Sequence, residues 1–129
     1  MIKEIFTCVG GVVVATAIVA IVKYQWEKGK DNEKIERIFV DELNIGEIKG
    51  WFSDKIADEN QKGILFEPTK ENVVRWNMKI PEKNNTLIQA IYDTSTDSIL
   101  SYREIVFSTL SKSLKELLVS NNGAIVIEK

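Results

Sequence analysis

From Ile5 to Val22 the chain reads IFTCVGGVVVATAIVAIV, 18 residues without a charge. As a helix this run is about 27 Å long at 1.5 Å per residue, close to the thickness of a bilayer core. A stretch of this kind must find apolar surroundings over its whole length, in a membrane or in a protein interior. Valine and isoleucine dominate it, which in water favours strands, but the length without a turn signal reads as a membrane helix. Its flanks fit that reading, with Lys3 placed to snorkel on one side, Lys23 on the other, and Tyr24 and Trp26 where interfacial aromatics collect.

The anchor is therefore assigned to residues 1–24, with Ile5, Gly11, Ala15, Val22, Lys23, Tyr24 and Trp26 as its marking residues. Thr7, Gly11 and Ala15 recur every four residues and form a small-residue stripe through which two such helices can approach, so self-association through the membrane helix is expected alongside the lipid bilayer as partner. Three other readings compete. A cleaved signal peptide would end at Ala15-Thr16-Ala17 or Val19-Ala20 and release a secreted domain, although the apolar run continues to Val22 and the basic start is one lysine. A buried core helix is rarely so uniformly apolar. Ile5-Phe6-Thr7-Cys8 loosely matches a lipidation site but has no apolar region before it.

Orientation follows from the basic residues. Lys23, Lys28, Lys30, Lys34 and Arg37 follow the apolar run, against Lys3 before it, and basic residues beside a membrane helix stay cytoplasmic. The expected arrangement is a single-pass membrane protein with a cytoplasmic C-terminal domain. Removing 22 of 129 residues leaves 107, enough for one core. Residues 25–32 read as a polar juxtamembrane connector and 33–129 as a soluble domain.

In that domain Ile35, Ile38, Phe39 and Leu43 have helical spacing after Asp31-Asn32, predicting a first helix. Asn44 with Glu47 three positions on predicts a capped second helix with Ile48, Trp51, Phe52 and Ile56 on its apolar side, weakened by Gly46 and Gly50. Strands are predicted at 64–67, at 74–80 where apolar and polar residues alternate and Trp76 faces the core, at 87–92 and at 98–107, the last two joined by a 93–97 turn. Ser108 is placed as the cap of a helix carrying Leu110, Leu114, Leu117 and Leu118, which Asn122-Gly123 ends before a last strand at 124–128. The fold class is α+β, a largely antiparallel sheet with helices packed on one face.

The chemistry is narrowed by what the sequence omits. There is no histidine, and the single cysteine, Cys8, lies in the apolar run, so zinc, haem and iron–sulfur ligation in the soluble part is not expected. Asp93 and Asp97 bracket three hydroxyl residues that could offer oxygens to calcium or magnesium, but aspartate, serine and threonine are also what a hairpin connection uses. Ser108 and Ser111 lack a base, and Glu67, Asp93, Asp97 and Glu104 would make a carboxylate site only if the sheet gathered them. No phosphate-binding loop occurs, Asn84-Asn85-Thr86 reads as a turn, and 17 basic against 19 acidic residues leave a net charge of −2 with no nucleic-acid footprint. No catalytic, cofactor-binding or metal residue is assigned and no cofactor is expected. The expected function is a membrane-tethered interaction or assembly module holding a protein partner near the bilayer, with a carboxylate-based or magnesium-dependent membrane enzyme as the alternative.

Overall fold

A computed structural model of the protein describes residues 5–7, 12–30, 36–68, 85–121 and 123–128. In chain order the elements are β1 (Ile5–Thr7), α1 (Val12–Lys30), β2 (Glu36–Leu43), α2 (Ile45–Lys55), β3 (Gln61–Phe66), β4 (Thr86–Asp93), β5 (Ser98–Leu110), α3 (Lys112–Ser120) and β6 (Ala124–Glu128). The strands form one mixed sheet in the order β1-β6-β3-β4-β5-β2. Every pairing is antiparallel except β2 on β5, where Glu36 lies opposite Arg103 and Leu43 opposite Leu110. The α+β class and the largely antiparallel sheet agree with the sequence reading.

The placement of helices does not. They cover both faces of the sheet, and the alternation of side chains along each strand feeds two separate cores. Ile64 and Phe66 of β3, Ile88, Ala90 and Tyr92 of β4, Tyr102 of β5 and Val126 of β6 meet Ala17, Ile18, Ala20 and Ile21 of α1. On the opposite face Leu65, Leu87, Ile91, Ile105, Ile125 and Ile127 meet Ile48 and Phe52 of α2 and Leu114 and Leu118 of α3. A strand buried on both sides has no reason to alternate apolar with polar residues. Leu87-Ile88-Gln89-Ala90-Ile91-Tyr92 is accordingly an almost unbroken apolar run, all of it buried.

The apolar segment at residues 5–22 is not one helix. Ile5–Thr7 is a strand pairing antiparallel with β6, Ile5 opposite Glu128 and Thr7 opposite Val126, and the helix begins at Val12 and runs on to Lys30, through the boundary expected between anchor and connector. Two forces account for this. Backbone groups of the β-branched start gain a ladder at the sheet edge, and the apolar side of α1 is buried on a sheet face that needs cover. Among the described residues no helix is long and apolar enough to cross a membrane.

A second correction concerns residues 36–43, a strand rather than a helix. Ile38 and Val40 pack toward the core shared with α2 while Phe39, between them, is 70% exposed, an alternation of period two. The third is the start of α3. β5 continues to Leu110 because Phe107, Thr109 and Leu110 pair with Val40, Glu42 and Leu43, so the cap moves from Ser108 to Ser111, whose Oγ accepts from the Leu114 amide at 3.3 Å.

Elsewhere the local signals match. The Asn44 side chain accepts from the Glu47 amide at 2.9 Å and starts α2. Gly123, at φ 81°, ends α3 in the left-handed region, its amide donating to the Leu118 carbonyl at 2.8 Å. The strand expected at 74–80, with Trp76, lies outside the described residues.

Candidate functional site

The described residues assigned to the membrane anchor fall in two different elements. Ile5 is in β1, Ala15 and Val22 to Trp26 are in α1, and Gly11 lies outside the described residues. With Thr7 also in β1, the Thr7-Gly11-Ala15 stripe does not form along one helix. Val22 packs partly into the core under α1. Tyr24 stacks on Tyr102, ring centroids 5.0 Å apart and planes 29° from parallel, with the Lys28 ammonium 5.3 Å from the Tyr24 centroid. Facing away from the sheet are Val19 at 57% exposure, Lys23 and Trp26 at 46%, spaced four and three residues apart and so on one side of the helix. α1 thus buries one apolar side and offers solvent a mixed one, Val19 and Trp26 with Lys23 and Glu27.

Two polar clusters flank β5 at the consecutive residues Tyr102, Arg103 and Glu104, which point alternately to the two faces. Under α1, the buried Gln25 donates from Nε2 to the Tyr102 hydroxyl at 2.9 Å, and that hydroxyl donates to Glu104 Oε2 at 3.1 Å. Glu104 Oε1 accepts from Arg37 Nε at 3.1 Å and Nη2 at 2.8 Å, Arg37 sitting opposite Glu104 in the parallel register. The chain of bonds joins α1, β5 and β2 through a carboxylate with little access to water. Burial, then the Glu104 charge, raises the Tyr102 pKa well above that of a free tyrosine, so its hydroxyl stays a donor.

On the other face Arg103 Nε donates to Gln89 Oε1 at 2.7 Å, and Gln89 Nε2 donates to the Ile48 carbonyl of α2 at 3.1 Å. The Arg103 guanidinium lies 5.0 Å from the Trp51 ring centroid, and its Nη2 stands 3.6 Å from Glu47 Oε1. At that separation the pair has an electrostatic attraction without a hydrogen bond, and Nη2 is buried with no hydrogen-bond partner. Burial lowers the Arg103 pKa, opposed by Glu47 and Glu36. These clusters were not singled out from sequence, though the signal is there: Gln89 interrupts an apolar strand, and Arg103-Glu104 put two charges in the middle of another.

The acids considered for metal or carboxylate chemistry are not gathered. Asp93 Oδ1 accepts from the Ser95 amide at 2.8 Å and hydroxyl at 2.5 Å and from the Thr96 amide at 3.3 Å, closing the β4–β5 turn. The Ser95 bonds are the main cause of its lowered pKa. Asp97, in the left-handed region at φ 53°, accepts from the Tyr92 hydroxyl. Glu104 is engaged with Arg37 and Tyr102 as above, and Glu67 follows β3 at the end remote from Asp93, which pairs with Gln61 at the strand's start. Among the described residues no group of three or more potential ligands is placed to hold a metal ion. Of the aromatics, Phe52 and Tyr102 are buried, Trp51 is half-buried with its ring edge-on to Phe52 at 5.5 Å, and Trp76 lies outside the described residues.

Fold and surfaces define a small α+β domain, its mixed sheet covered on both sides, with a helix on one of them whose solvent side carries Val19, Lys23, Trp26 and Glu27. No family model, no curated protein and no solved structure matches the chain.

Proposed function

We propose that this chain is a membrane-associated interaction module, which uses its apolar N-terminal region to confine a small domain at the bilayer and there holds a protein partner, on the cytoplasmic side, without catalysis. One observation carries the reading: α1 presents Val19 and Trp26 to solvent with Lys23 between them, while its opposite side, Ala17, Ile18 and Ile21, is sunk in the core. An apolar helix side with a lysine and a tryptophan suits the headgroup and acyl boundary, where indole and ammonium groups are both at home. Dispersal of Glu67, Asp93, Asp97 and Glu104 gives no support to the carboxylate enzyme.

Two modes of attachment exclude each other. A helix spanning the bilayer from residue 5 to 22 would have to leave the sheet and uncover Ile64, Phe66, Ile88, Ala90 and Val126, a large apolar face, whereas attachment through Val19 and Trp26 leaves the domain intact. The interfacial mode is the one favoured. The test is flotation of the full chain with vesicles containing anionic lipid. Wild type should float, be released by alkaline carbonate, and lose at least tenfold of its binding in Val19→Glu/Trp26→Glu with an unchanged circular dichroism spectrum. Equal flotation of the variant, or none of the wild type, rejects the reading, and resistance to carbonate would replace the interfacial mode with a spanning helix.

A further inference from the structure

We draw no further inference here: the strongest candidate, the side-chain cluster between α2 and β5 in which the buried Arg103 Nη2 has no hydrogen-bond partner, carries nothing, because that atom is closed off from solvent and the guanidinium charge is already answered by the Trp51 ring at 5.0 Å and the Glu47 carboxylate at 3.6 Å, so nothing in the structure shows a ligand reaching it.

Discussion

Gly63 and Gly50 differ in what a single added methyl group would meet. A Cβ on Gly63 would come within 2.6 Å of the Phe52 ring, wedging β3 from α2, whereas Gly50 has nothing within 4 Å. Gly63→Ala should therefore destabilise by about 1 to 3 kcal/mol through overpacking. Gly50→Ala should stabilise by about 0.5 to 1 kcal/mol, because the helix-weakening residue is replaced at an open position. Urea titrations of the two variants decide this, and similar shifts in one direction would contradict it. At Gln89 both ends of the amide are committed, to Arg103 and to the Ile48 carbonyl, so Gln89→Ala leaves buried polar groups unpaired and should cost about 1 to 3 kcal/mol. Tyr92 supplies a pH dependence. Burial first, then its bond to Asp97, pushes its pKa up to about 12 from 10.0. The folded state thus holds the phenolic proton more tightly than the unfolded chain, and the stabilisation is complete below pH 10 and lost as pH rises toward 12. The denaturation midpoint should fall over that window, and less steeply in Tyr92→Phe; parallel curves would reject the assignment.

At the scale of elements, boundaries held where a local group makes them and moved where a distant partner does. Asn44 caps α2 and Gly123 ends α3 through bonds within a few residues, and both are readable in sequence. The cap of α3 slid from Ser108 to Ser111 because β5 is prolonged by pairing with β2, far away in the chain. The same pairing decides β2 itself. Ile38, Phe39 and Leu43 fit helical spacing, Ile38 and Val40 fit alternation, and eight residues are too few for periodicity to choose between them. Ser111→Ala should cost about 1 kcal/mol, and Ser108→Ala, in an exposed strand position, much less. Thermal unfolding of the two variants compares them directly, and a larger effect at Ser108 would restore the earlier helix start.

For the whole molecule, the decisive question is what the apolar N-terminal run is for. Length and lack of charge made a membrane helix the natural reading, and nothing local in the run says that a sheet will receive one side of it. The hint lay elsewhere, in β4, whose residues 87–92 are too evenly apolar for a strand with a wet face. The polar clusters around Arg103 and Glu104 were similarly hidden, because charges in a strand read as a solvent face until helices are found on both sides. With α1 seated on the sheet, its residues divide sharply into those the core holds and those left exposed, which the proposed function gives to a membrane surface. Thiol modification rates of Ala17→Cys and Val19→Cys, each with Cys8→Ser, test that division with and without anionic vesicles. Slow reaction is expected at 17 in both conditions, and at 19 a fast reaction that vesicles slow at least tenfold. Equally fast reaction at the two positions, or a rate at 19 that vesicles leave unchanged, would contradict it.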